Sequence, residues 1–242
     1  MTPTQLPDAG RRADLSGPAL GCILAFVAGY VDVVGFISLF GLFTAHVTGN
    51  FVMIGVDIAG DSAGLLAKLL ALPTFALAVA AARLTESRIV RDKQSAPSLL
   101  LFAEAVALVL FIVAGVHASP ISDPSTPAAV GAGMLAVVAM GIQNSLSRTS
   151  LSDLGPTTIM TGNTTQIIID LVDLPSASEA EGKAIRARLK KMVPALAGFA
   201  SGAALGALGY SMLSLWCVML PAVLLTALSF LTWRNGANSQ QK

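Results

Sequence analysis

Six uninterrupted apolar runs, near residues 19–40, 66–83, 98–117, 128–147, 192–210 and 213–233, constrain this chain more than any other feature. A helix of about 17–25 residues spans the hydrocarbon layer of a bilayer, and each run has that length. Charged residues make up 12% of the chain, against about 25% in an ordinary soluble domain. A buried core of this size would need a polar shell, and the charges to build one are missing. The fold class expected is therefore an all-α polytopic membrane protein, with the lipid bilayer as its first partner.

The same composition excludes several functions. Net charge is +1 with no basic stripe, so no nucleic-acid partner is expected. Cys22 and Cys217 lie inside apolar runs and read as buried free thiols. With His46 and His117 the only histidines, no metal cluster of His and Cys can form, and no cofactor is expected. The polar stretch before the first run, 1–18, reads as a disordered cytoplasmic N-terminus. The run from Leu20 to Phe43 is too long for a signal peptide's apolar core of about 7–15 residues. It is expected to be a retained first span.

Two shorter segments, 47–60 and 158–172, are marginal as independent spans. If both dip into the bilayer and return, every Lys and Arg except Lys68 falls on one side. If both cross, the cluster from Arg83 to Lys93 and Arg148 moves to the opposite side. Positive charge concentrates on the cytoplasmic side, so the re-entrant arrangement is favoured. It gives six transmembrane helices and two re-entrant half-helix hairpins, at about 41–62 and 150–173. The organisation expected is repeat 1 over 19–117, an external linker over 118–127, repeat 2 over 128–233 and a cytoplasmic tail over 234–242. Pro73 and Pro194 are expected to open their spans, with the basic half of 174–191 forming an interfacial helix.

The two halves share an ordered set of residues. Gly29-Tyr30-Val31-Asp32 corresponds to Gly141-Ile142-Gln143-Asn144, Thr48-Gly49-Asn50 to Thr161-Gly162-Asn163, and Asp57 to Asp170, at a separation constant to within one residue. Three crossings per half would place the repeats in opposite orientations. Transporters built that way carry their site at the repeat interface near the midplane.

The polar residues inside apolar runs define a candidate substrate- or ion-binding set: Asp32, His46, Thr48, Gly49, Asn50, Gln143, Asn144, Thr161, Gly162 and Asn163. A charge at the bilayer centre costs about 2.5–3.5 kcal/mol on insertion scales. Asp32 should therefore face the bundle interior and hold a partner or a proton, and His46 is the partner within reach of neutral-pH chemistry. The Thr-Gly-Asn triplets fit turns into half-helices, where a Thr or Asn cap and free first-turn N–H groups would receive an anion or a carbonyl oxygen. The alternative is that Asn50 and Asn163 only secure their own hairpins. Asp57 and Asp170 are expected at half-helix ends in water, and Glu104 has no partner visible in the sequence. Gly198, Gly202 and Gly206, with Ala76 and Ala80, form close-packing faces against a hairpin or in a homodimer seam.

At Ala28-Gly29-Tyr30-Val31-Asp32, Val47-Thr48-Gly49-Asn50, Met140-Gly141-Ile142-Gln143-Asn144 and Met160-Thr161-Gly162-Asn163 the chain resembles the YoaK-like bacterial inner-membrane proteins, an uncharacterised family of six-span proteins. The resemblance covers roughly residues 19–233. It implies the membrane class, the span count and an inner-membrane location, and no substrate; the charge distribution places both termini in the cytoplasm. The function expected from the residues is a transporter or channel-like permease for a small polar or anionic solute, proton-coupled through Asp32. A membrane enzyme acting on a lipid-type substrate and a non-transporting scaffold are the alternatives. The enzyme is disfavoured because no Ser/His/Asp set, paired carboxylates or metal cluster can be assembled.

Overall fold

The computed structural model describes residues 17–60, 64–89 and 96–239, and these are all-helical. The helices are α1 (Gly17–Ser38), α2 (Gly49–Ala59), α3 (Leu65–Leu84), α4 (Ala96–Ala118), α5 (Pro127–Arg148), α6 (Met160–Asp173), α7 (Glu179–Leu213) and α8 (Met219–Ser239). Most of the 1–18 segment, part of the 84–97 loop and the last three residues lie outside the described residues. Five helical stretches are long and apolar enough to cross a membrane, the last of them comprising α7 and α8 across a 3₁₀ turn at Ser214–Val218. This is the architecture of a multi-pass membrane protein. At 11 and 14 residues, α2 and α6 are about 16 and 21 Å long, short of the ~30 Å layer.

Local chemistry accounts for the helix starts. Thr126 accepts from the Ala129 N–H at the head of α5, with Pro127 in the first turn where its missing N–H costs nothing. Ser178 and Glu181 form a reciprocal capping box that starts α7. From there α7 runs 35 residues without a break through Pro194. The basic segment is thus the first part of one long helix, not a separate interfacial one. Pro73 likewise sits inside α3 rather than opening it. A proline inside a helix removes one backbone hydrogen bond, and both helices continue past theirs.

Side-chain contacts give the helix directions. Cys22, Phe26 and Tyr30 of α1 meet Gly198, Gly202 and Gly206 of α7 in the same order, so these helices are parallel. So are α3 and α5, where Thr74 donates to Met134 Sδ, Ala78 faces Gly141 and Glu86 accepts from Thr149. In contrast α1 and α5 are antiparallel: Gln143 donates to the Leu24 carbonyl, while Leu39 and Leu42 sit against Gly133. Helices α4 and α8 are antiparallel as well, joined by Ser98 and Ser229.

The α1–α7 seam is the closest approach in the molecule. A Cβ built at Gly202 would lie 2.1 Å from the Phe26 carbonyl oxygen, and one at Gly198 2.3 Å from that of Cys22. From the other side, a Cβ at Gly29 would lie 2.2 Å from the Phe199 oxygen. The glycine faces read in the sequence therefore serve a seam within the chain. They let Cα–H groups point directly at carbonyl oxygens of the facing helix.

After α1 the chain turns back along it. Residues 43–46 reach the level of Asp32, and α2 then runs outward again until Gly64 sits beside Phe40. The segment from 39 to 64 thus begins and ends at one level, with its tip near the middle of α1. Its outer face is apolar and bare, with Val52, Val56 and Ile58 each more than half exposed. Ile168, Leu171 and Val172 do the same on α6.

Candidate functional site

Asp32 is 5% exposed, and its partners come from the tip of the returning segment. Its Oδ1 accepts from the backbone N–H groups of Thr44 at 2.8 Å and Ala45 at 2.7 Å. Its Oδ2 lies 2.8 Å from His46 Nδ1. A turn with consecutive inward N–H groups needs an acceptor-only side chain, which an ionised carboxylate supplies. With Asp32 ionised, His46 carries its proton on Nδ1 and donates to Oδ2, leaving a lone pair on Nε2. Two rings meet the imidazole edge-on, Phe43 at 6.4 Å and Phe199 at 5.3 Å, and these fix its plane.

Beside this pair lies a cavity of about 630 Å³ between α1, the 43–49 turn, α2 and α7. That volume suits a small molecule. Phe36, Phe43 and Phe199 wall it, with Val33, Val52 and Ala203 between the rings. Gly29 and Gly49 leave room, and the polar lining is limited to Asp32, His46 and Thr48. It is an open pocket: α1 and the 43–52 segment, from the first half, form one side, and α7, from the second, forms the other.

Of the residues predicted from sequence, Asp32, His46, Thr48 and Gly49 meet at this cavity. Asn50 stands behind it, with its side chain turned to the Phe43 backbone: Oδ1 accepts from Phe43 N–H at 2.9 Å and Nδ2 donates to Phe43 O at 2.8 Å. Thr48 makes no capping bond, and the N–H groups of Gly49, Asn50 and Phe51 donate to the carbonyls of His46, Val47 and Thr48. The start of α2 is a tight turn that uses its own first N–H groups, so the expected anion site there is not formed.

The second-half residues build a similar turn elsewhere. Asn163 donates to the Pro156 carbonyl, seven residues back as in Asn50–Phe43. Asn144 donates to Thr158 Oγ1 at 2.7 Å, and Gln143 donates to Thr157 Oγ1 and the Leu24 carbonyl. Thr161 and Gly162 are exposed, and a Cβ at Gly162 would meet nothing within 4 Å. None of these residues lines the cavity.

Asp57 and Asp170 differ from expectation. Both are buried and ion-paired to the following helix, Asp57 with Lys68 at 2.7 Å and Asp170 with Arg188 at 2.6 Å. Lys68 is itself 2% exposed. These cations and the three phenylalanines are not among the residues predicted from sequence. Lys68 did carry a signal, as the one basic residue that the charge distribution left on the wrong side. Glu104 is fully buried in α4, with no hydrogen-bond partner for either oxygen among the described residues. No cluster of three or more His, Cys, Asp or Glu able to hold a metal occurs among the described residues.

Comparison with known proteins agrees with this picture at the level of family. No curated protein and no solved structure matches the chain. Residues 20–231 match the family described as protein of unknown function DUF1275. That match covers every described helix but the ends of the first and last, and the chain belongs to the DUF1275 family.

Proposed function

We propose that the chain is a transporter or channel-like permease of the bacterial inner membrane, with the cavity beside Asp32 and His46 as its solute site. The cavity carries the reading. It is of small-molecule size, lies near the middle of α1, and has a buried carboxylate–imidazole pair facing an otherwise apolar wall. The expected solute is a small polar or anionic one, with the Asp32–His46 pair as the proton-handling element.

The architecture proposed around it is two inverted three-span repeats, each with a re-entrant hairpin. The antiparallel course of α1 and α5 supports the inversion. So do the matched packings of α1 on α7 and α5 on α3, of α2 on α3 and α6 on α7, and of α4 on α8. Return of the chain from Phe40 to Gly64 supports a hairpin that does not cross. Non-helical backbone at membrane depth is tolerated where protein buries it or it lines a cavity, and residues 43–48 do both.

The test is a solute screen on the purified full chain by thermal stabilisation, followed by flux in proteoliposomes. His46→Gln, whose amide can still donate to Asp32, and Ala203→Phe should abolish flux of a solute found this way while leaving helicity near wild type. Undiminished flux in both variants would sink the assignment.

A further inference from the structure

We infer that the solute is a lipophilic weak acid, an apolar body bearing one carboxyl group, and that it binds together with one proton taken up on His46 Nε2. The inference rests on the permease reading of this cavity and specifies its ligand.

Asp32 is not the group that meets the solute. Its Oδ1 is held by two backbone N–H groups at 2.8 and 2.7 Å, with the Thr44 hydroxyl and the His46 N–H further off at 3.4 Å. Its Oδ2 is engaged by His46 Nδ1. What the pair offers outward is the other imidazole nitrogen. His46 lines the cavity, its side chain is 34% exposed, and Nε2 has no partner among the described residues. A neutral imidazole with its proton on Nδ1 presents an acceptor there, and a protonated one presents a charged donor.

The remaining surface selects the body of the ligand. Three phenylalanine rings and aliphatic side chains bury apolar or aromatic groups. A sugar or polyol would leave most of its hydroxyls facing these walls unpaired, each with its full desolvation cost. An organic cation would find Asp32 Oδ1 given over to the turn and Oδ2 already holding the His46 N–H, with a single lone pair left to meet it. A carboxylate needs one strong donor, which His46 becomes on protonation.

The proton balance is explicit. Asp32 and His46 are the only titratable groups on the cavity lining. In the free site a neutral His46 keeps its Nδ1 proton on the Asp32 carboxylate and presents a lone pair at Nε2, and the acid is in solution as its anion. On binding, Nε2 takes one proton from solvent and donates it in a hydrogen bond to the carboxylate, while Nδ1–H stays on Asp32. No covalent bond is made or broken, and the net change is uptake of one proton per ligand.

The experiment is calorimetric titration of the full chain in nanodiscs with benzoate and 2-naphthoate over a pH series from about 7 to 9, the proton count being read at the alkaline end where the free imidazole is neutral. Two buffers of different ionisation enthalpy count the protons. Wild type should take up about one proton per acid, and the naphthoate should bind more tightly because it covers more of the phenyl walls. His46→Gln should lose the uptake and weaken binding about ten- to hundredfold, the cost of a charge-assisted hydrogen bond. Ala203→Phe should block the body while leaving the pair intact. In Asp32→Asn the amide keeps the acceptor for the turn but donates to Nδ1, reversing the tautomer. Any acid bound by that variant should carry no proton. Uptake near zero in wild type, unchanged affinity in His46→Gln, or binding of tetraphenylphosphonium in place of the acids would overturn the inference. A non-acid solute whose flux depends on His46 would overturn it too, while leaving the permease reading standing.

Discussion

Gly202→Ala adds one methyl group to a seam with no room for it. The new Cβ would lie 2.1 Å from the Phe26 carbonyl oxygen and 2.9 Å from its carbonyl carbon and Cα. All three are backbone atoms of a helix, so no side chain can swing aside. Restoring an ordinary contact moves the helices apart by about 1 Å, and the parallel helices must separate along their shared length. Gly29, Gly198, Gly202 and Gly206 each face a carbonyl oxygen across that seam. At about 0.5–1 kcal/mol for each Cα–H···O contact, opening it costs about 2–4 kcal/mol, overlapping the range for overpacked cores. The control is the identical change at Gly162, in α6, where a Cβ meets nothing within 4 Å. There a helical Gly→Ala should stabilise by about 0.5–1 kcal/mol. Unfolding of the purified variants in mixed micelles, followed by helical circular dichroism, reads both. If Gly202→Ala unfolds within 0.5 kcal/mol of wild type, or Gly162→Ala is equally damaging, the seam does not carry the stability assigned to it here.

Lys68→Met strands the Asp57 carboxylate, 7% exposed, and should cost about 3–5 kcal/mol, with most of it recovered by adding Asp57→Leu; the same unfolding assay checks both. Asn50→Ala removes two hydrogen bonds to Phe43, whereas Asn163→Ala removes one to Pro156, whose nitrogen bears no hydrogen. The first should destabilise by about 1 kcal/mol more than the second, read as the difference in unfolding free energy. Glu181 sits in the charged, exposed turns of α7 ahead of its apolar stretch, and the Ser178 hydroxyl and N–H hold its carboxyl below the usual range. A depressed folded-state pKa stabilises fully above the unfolded value and is lost as pH falls through the folded one. Amide protection over 178–182, taken relative to the intrinsic exchange rate at each pH, should therefore fall on acidification through the carboxylate range, and Glu181→Ala should remove that dependence. For topology, a cysteine at exposed Ser125 should label from the periplasmic side and one at exposed Arg186 from the cytoplasmic side; the reverse pattern would exclude the proposed orientation.

Much of this architecture is visible in the apolar runs because the bilayer fixes helix length: the 98–117 run becomes Ala96–Ala118 and 128–147 becomes Pro127–Arg148. Burial of Asp32 follows from the cost of placing a carboxylate in such a run, and its pairing with His46 was the natural guess. Its backbone partners were not legible, because closure of Asp32 onto residues 44 and 45 depends on how the chain turns after α1. Asn50 reads as a turn residue, but the direction of its side chain does not. Asp57 and Asp170 were placed in water because their partners lie on other helices. Pro194 reads in sequence as a boundary, but the Ser178–Glu181 box marks the start of α7. The phenylalanine walls look in sequence like any lipid-facing residue, and tertiary pairing alone selects Phe36, Phe43 and Phe199.

Helix α7 carries both the ion pair to α6 and part of the cavity wall. Arg188 fastens it to α6 through Asp170, and Phe199 and Ala203 form part of the cavity wall. Arg188 and Phe199 are about 16 Å apart along a single rod. In the permease reading, a displacement of α6 would arrive at that wall as a tilt of α7, with the ion pair as the handle and the glycine seam on α1 as the bearing. Pro194 lies between handle and wall, where the missing backbone hydrogen bond leaves the rod its softest point. The stiffness of that one turn sets how faithfully motion in the second half is delivered to a site built from the first.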